Sequence, residues 1–195
     1  MDEIVRKAMA KWPDVPFAYG WLALDARGRW LLKGDPITNP AVVAFIGRNY
    51  AVDERGRWYF QNGPQRVFAT LAATPWILSL DDDGRLATHV GTPAGAAREA
   101  WLDEAGRVLF VTDVGAGALV DRDLAALVQR LVDADGDRLD DAAITRWIEG
   151  AGPDDAPWVA LADGRIRIER LPPGPVGARF GFDPDPRPDA GEPEC

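Results

Sequence analysis

A chain of 195 residues, 47% hydrophobic and 27% charged, can bury a substantial core, yet one His (His89), one Ser (Ser79) and one Cys (Cys195) exclude a zinc centre and an internal disulfide. Its net charge of −9 opposes nucleic-acid binding, which needs a basic surface to displace counterions. No apolar run has bilayer length, and Met1-Asp2-Glu3-Ile4 lacks the basic and apolar regions of a signal peptide, so no nucleic-acid or membrane partner is expected and the location is read as cytoplasmic.

Val5, Ala8, Met9 and Trp12 recur at helical spacing between Asp2 as opener and Pro13 as stop, which predicts an amphipathic helix within residues 1–18. Asp25-Ala26-Arg27-Gly28-Arg29-Trp30 reads as a hairpin turn with Gly where positive φ is wanted. Asn39 as N-cap and Pro40 at the first helical position then open a helix over 40–50 that carries Val42, Phe45, Ile46, Asn49 and Tyr50. The segment from Arg57 to Phe68 predicts two strands around Asn62-Gly63. A further hairpin runs from Pro75-Trp76-Ile77-Leu78-Ser79-Leu80 through the hydrated tip Asp81-Asp82-Asp83 to Gly84-Arg85-Leu86.

The rest of the chain repeats this order. Asp103-Glu104-Ala105-Gly106-Arg107-Val108 matches the first turn, and a helix over 123–133 carries Leu124, Leu127, Val128, Leu131 and Val132. The helical face is displaced by 82 positions, from Val42 to Leu124, and Pro157-Trp158 stands at the same displacement from Pro75-Trp76. Where the first copy has the Arg57–Phe68 strands, the second has a short helix capped by Asp140-Asp141, carrying Ala143, Ile144, Trp147 and Ile148 and ended by Gly150. The expected fold is therefore α+β: an N-terminal helix (1–18), then two tandem copies of a hairpin-helix-insert-hairpin unit (19–92 and 93–171). Residues 172–195, rich in Pro, Gly and acids, are expected to be mostly disordered.

Gly28-Arg29-Trp30, Gly34-Asp35-Pro36-Ile37, Gly56-Arg57-Trp58-Tyr59-Phe60, Gly63-Pro64-Gln65-Arg66-Val67 and Thr74-Pro75-Trp76 together resemble the bacterial family called domain of unknown function 1285. The likeness covers residues 20–90, and Asp155-Ala156-Pro157-Trp158 echoes its Asp-Ala-Pro-Phe-like step in the second copy. It implies a repeated α+β architecture, no established enzymatic activity, and a suggested part in ligand binding or signalling. The chain departs from the family at the Glu of its Thr-Pro-x-Glu step, where Gly63-Pro64-Gln65-Arg66 stands instead.

Catalytic nucleophiles are not evident. Ser79 lies in a strand pattern rather than a nucleophile elbow, His89 lacks an acid partner in sequence, and Cys195 ends a Pro-rich tail. The run Asp133 to Asp141 departs from a calcium-binding loop, with Arg138 and Ile144 where Gly and Glu are required, and reads as a turn plus a helix cap. Successive aromatics Trp58, Tyr59 and Phe60 must point to alternate faces of a strand, so something has to cover the second face. No metal, cofactor or catalytic residue is expected. The candidate ligand-binding residues are Arg48, Tyr50, Gln61, Asn62, Gln65 and Arg66, whose guanidiniums and amides can hold a carboxylate or phosphate. The leading expectation is a non-catalytic module that binds a small anionic ligand or a protein partner. The alternative is a small enzyme with Tyr50 or Asp53 as acid or base and Arg66 stabilising an anion.

Overall fold

Four hairpin turns of this chain share one pattern, Asp-x-x-Gly-Arg, at Asp25–Arg29, Asp53–Arg57, Asp81–Arg85 and Asp103–Arg107. In the computed structural model, which describes residues 1–12, 15–150 and 156–189, each Asp amide donates to the Arg carbonyl four positions on, at 3.0 to 3.1 Å, and each Gly amide donates back to the Asp carbonyl. At three of the turns the Arg Nε also donates to the Asp carboxylate, at 2.6, 2.8 and 2.7 Å. The pattern thus closes four antiparallel strand pairs by local chemistry alone.

The chain divides into two units, Met1–Pro75 with Pro175–Cys195, and Trp76–Gly174. In unit one, helix α1 (Glu3–Lys11) is followed by β1 (Ala18–Leu24), β2 (Trp30–Leu32), β3 (Asp35–Pro36), helix α2 (Pro40–Arg48), β4 (Tyr50–Val52), β5 (Trp58–Asn62) and β6 (Gln65–Leu71). The strands lie in the order β3-β2-β1-β6-β5-β4, antiparallel except for the parallel pair β1 and β6. Asn39 caps α2 as expected, its side chain accepting from Ala41 N at 2.9 Å. The helix stops at Arg48 rather than at 50. Asn49 is buried, turns its amide back to the Phe45 carbonyl (2.9 Å) and offers its own carbonyl to Gln61 N (2.9 Å), so Tyr50 begins a strand. Helix α1 forms, but only Val5 of its stripe is buried, while Trp12 remains 51% exposed. Asp2 does not cap it and instead pairs with Arg48.

Unit two contains β7 (Trp76–Leu80), β8 (Leu86–Thr88), β9 (Ala97–Leu102), β10 (Val108–Thr112), β11 (Gly115–Leu119), a 3-10 turn Asp121–Asp123 running into helix α3 (Leu124–Val128), β12 (Leu131–Val132), helix α4 (Asp141–Ile148), β13 (Trp158–Leu161) and β14 (Gly164–Arg170). Its order is β12-β13-β14-β9-β10-β11-β7-β8. The helix expected over 123–133 is shorter because Leu131 and Val132 pair with Val159 and Trp158. Leu78, Phe110, Leu127, Ile144, Trp147, Val159 and Ile168 form its apolar core.

From β9 to β14 this order repeats that of β1 to β6, with β14 parallel to β9 as β6 is to β1. Leu71 lies opposite Leu24 and Arg170 opposite Leu102, each just before an Asp-x-x-Gly-Arg turn. The counterpart of β13 and β14 is therefore the pair β5 and β6, so the Pro157-Trp158 hairpin does not match the Pro75-Trp76 hairpin despite their shared displacement. Pro75-Trp76 instead opens β7, which runs parallel to β11, an addition beyond the repeated order. The boundary moves accordingly from 92/93 to 75/76.

The Pro-rich tail is also ordered through residue 189, contrary to expectation. Helix α5 (Val176–Phe180) ends at Gly181, Phe182 is buried at 6% exposure, Asp183 N donates to the Gly56 carbonyl (2.9 Å), and Leu71 N donates to the Pro184 carbonyl (2.8 Å). At Gly56, φ is +77°, and a side chain would collide with the Gly181 carbonyl. Phe182 supplies the apolar anchor that bulk composition concealed. Cys195 and Asp155 lie outside the described residues.

Candidate functional site

Cross-strand partners share a face, and the register of β5 and β6 therefore sorts the candidate residues. Trp58 and Phe60 face α2, where Phe60 meets Phe45 edge-on at 5.4 Å. Tyr50 lies on that same side, against Trp30 (5.0 Å) and Trp58 (4.8 Å), and its hydroxyl donates to the Pro75 carbonyl at 3.2 Å. Burial pushes its phenol well above the ordinary value near 10, so Tyr50 stays protonated.

Tyr59 and Gln61 point the other way, opposite Phe68 and Arg66. Of the six candidates, the register pairs Gln61 with Arg66 and Asn62 with Gln65, and only the first pair shares the face of Tyr59 and Phe68. Arg48 is spent on Asp2 (3.3 Å), whose carboxyl that hydrogen bond holds low, Asn62 is exposed, and Gln65 Nε2 donates to the Pro16 carbonyl at 3.0 Å. Pairing of Tyr50 with Arg66 in one acid–base site is thereby corrected, since the sheet lies between them.

The face that holds Gln61 and Arg66 is an aromatic array. Tyr19 stacks on Phe68 (4.7 Å, 9° between planes), Phe17 meets Phe68 at 5.7 Å, and Tyr59 meets it at 5.6 Å. Two guanidiniums lie on these rings. Arg57 sits 4.6 Å from the Phe68 centre, donates through Nε to Asp53 (2.8 Å) and through Nη1 to the Tyr19 hydroxyl (3.2 Å). Burial alone would raise the Asp53 carboxyl, but hydrogen bonds from Arg57 and the Arg55 amide outweigh it and hold the group below its usual value.

Arg66 lies 4.7 Å from the Tyr59 centre and 5.5 Å from Phe17, and no carboxylate among the described residues pairs with it. Beside it, Gln61 is wholly buried. Its Nε2 donates to the Gly63 carbonyl (2.9 Å), while its carbonyl oxygen has no donor among the described residues. Phe17, Tyr19 and Phe68 were not among the expected site residues. The first two arrive through the parallel pairing of β1 with β6, which leaves no short turn to read in sequence.

Other residues singled out in sequence have plainer places. The Asp133 carboxylate accepts three amides of its own turn at 2.9 Å, and Asp140 caps α4 through Ala143 N (2.7 Å). Among the described residues no group of three or more His, Cys, Asp or Glu converges as a metal site would require. His89 Nδ1 accepts the Ile77 amide at 3.3 Å, and burial lowers its pKa to about 4. No helix among the described residues is long and apolar enough to cross a membrane.

A family model labelled DUF2944, with the description "Protein of unknown function (DUF2946)", matches residues 1–187. No curated protein matches. Among solved structures, a DUF1285 family protein from Silicibacter pomeroyi DSS-3 is similar at 18% identity over 69% of this chain and 87% of its own, with a TM-score of 0.48. A DUF1285 family protein from Shewanella baltica OS155 is similar at 16% identity over 58% of this chain and 91% of its own, with a TM-score of 0.43. Both belong to the family that the motifs of residues 20–90 resemble.

Proposed function

Since this chain belongs to the family described as "Protein of unknown function (DUF2946)", its function must be argued from its own site, and we propose that it is a non-catalytic module binding a small anionic ligand at Arg66 of unit one. The observation that carries this reading is the contrast between two arginines on one aromatic array. Arg57 is neutralised by Asp53, whereas Arg66 rests on rings without an acid among the described residues. A guanidinium lying on a ring directs its N–H groups outward in its own plane, where a carboxylate or phosphate takes two at once. Calorimetric titration with acetate and inorganic phosphate tests this. Arg66→Ala is expected to weaken binding at least about tenfold and Arg66→Lys less, because the bidentate fork is lost but the charge is kept. Equal affinities for the native protein and Arg66→Ala would overturn it.

The same proposal treats the two units as copies of one hairpin-helix-hairpin unit, supported by their common strand order, and places the protein in the cytoplasm. It also holds the anion site to the first copy, because the counterpart of Arg66 in the second, Arg165, donates to the Ala134 carbonyl at 3.3 Å.

A second reading, that of a small enzyme, draws on the buried Tyr, Asp and Arg contacts. Arg57 bridges Asp53 and the Tyr19 hydroxyl, and a guanidinium donating to a phenol stabilises the phenolate that acid–base chemistry would use. Under that reading Tyr19→Phe abolishes turnover and leaves anion binding at Arg66 intact.

A further inference from the structure

The register that matches the two units also locates a second site. Three residues before the equivalent positions Leu71 and Arg170, unit one pairs Tyr59 with Phe68 and unit two pairs Trp158 with Arg167. In unit one the connection from β4 to β5 is the short Asp53–Arg57 turn, and its Arg57 lies over Phe68. In unit two α4 follows β12 instead of a short turn, and a cavity of about 440 Å³ lies against Trp158 and Arg167. Its volume falls within the range of small-molecule sites.

The lining has a definite chemistry. Leu139, Ala143 and Pro157 are apolar and Trp158 adds an indole, while Asp135 and Arg146 bring opposite charges. Asp133 is committed to its own turn, but neither Asp135 nor Arg146 makes an ion pair among the described residues, with each other or with any other group. Arg167 also lines the cavity but has a partner of its own, so the cavity offers a ligand the Asp135 carboxylate, the Arg146 guanidinium and an apolar, aromatic wall, complementary to a molecule with an ammonium, a carboxylate and an apolar body. We propose that this cavity of unit two is a binding site for a zwitterionic amino acid with an apolar side chain, its carboxylate on Arg146, its ammonium on Asp135 and its side chain against Trp158.

The site is independent of Arg66 and is tested on the full chain by following tryptophan indole N–H resonances, with Trp158→Phe identifying the Trp158 signal. L-phenylalanine is the probe. Phenethylamine, without the carboxylate, and N-acetyl-L-phenylalanine, without the ammonium, are the controls. The expected result is a saturable millimolar shift of the Trp158 signal with L-phenylalanine and at least about tenfold weaker binding of each control. In Arg146→Gln, L-phenylalanine is expected to fall to the level of phenethylamine, and in Asp135→Asn to that of the N-acetyl compound. Both variants change exposed side chains outside the apolar core, and an unchanged pattern of the other indole signals verifies their fold. No saturable shift, equal binding of all three compounds, or unaltered discrimination in the variants overturns the proposal.

Discussion

The turns Asp53–Arg57 and Asp103–Arg107 have the same pattern and nearly the same bonds, yet they sit in different surroundings. In the first, both side chains are buried, at 9% exposure for Arg57 and 6% for Asp53. In the second, Asp103 is buried at 4% but Arg107 is 35% exposed. An identical local motif is therefore a solvated hairpin lock in unit two and part of a packed aromatic face in unit one. Local sequence chemistry specifies the turn, and the layer laid over it specifies what its Arg does.

Removing the two arginines should separate these roles. Arg57→Ala strands the Asp53 carboxylate in a buried place and uncovers Phe68, with an expected loss of about 3–5 kcal/mol. Arg107→Ala removes a side chain that is 35% exposed, so water can take its place at the Asp103 carboxylate, which keeps two backbone amides, for about 1–2 kcal/mol. Chemical denaturation midpoints at constant slope decide the matter. Equal losses would mean that the covering layer contributes nothing.

The units are also completed differently, unit one by the returning tail and unit two by β7 and β8. Phe182→Ala is expected to cost about 3 kcal/mol, the usual range for deleting a buried ring. Amide exchange should show the effect confined to unit one. Protection lost equally in unit two would erase the distinction.

Between about pH 6.5 and 4, the pH effect should come chiefly from His89 of unit two. His89 titrates near 4 when folded and near 6.5 when unfolded, because burial disfavours its charged form. Its stabilising contribution is complete above the unfolded value. As pH falls from 6.5 the unfolded chain takes up the proton first, and about 3 kcal/mol is lost by the time pH reaches about 4. His89→Asn, which keeps an acceptor for the Ile77 amide, should flatten that slope. Urea denaturation across this window shows whether it does.

What could be read in sequence was what is local. The Asp-x-x-Gly-Arg turns, the Asn39 and Asp140 caps, α4 and the strands around Gly63 all follow from residues within a few positions of one another. The pairing of β1 with β6 does not, because parallel strands are joined through distant chain. Without it the placement of Phe17 and Tyr19 beside Arg66 was invisible. The two Pro-Trp hairpins misled for a related reason, since an apolar strand, a turn and a Gly-Arg return look alike whichever neighbour they pair with. In the tail, one Phe outweighed a Pro-rich composition, and composition averages over the single anchor that decides order.

The smallest expected effect on stability carries the sharpest test of the contrast between Arg57 and Arg66. Arg66→Ala removes a half-buried guanidinium from above Tyr59 and Phe17 and strands no carboxylate among the described residues. Ring contacts of this kind at partly exposed sites contribute about 0.5–1 kcal/mol, and the lost stem exposes part of Tyr59. The expected destabilisation is therefore no more than about 1 kcal/mol, well below that of Arg57→Ala. An arginine kept for an external anion should show a second signature. Phosphate should raise the midpoint of the native protein by mass action and leave that of Arg66→Ala where it was, since only a native state that binds is stabilised. A loss approaching that of Arg57→Ala would make Arg66 a scaffold residue, and a phosphate effect that survives the substitution would place the anion elsewhere.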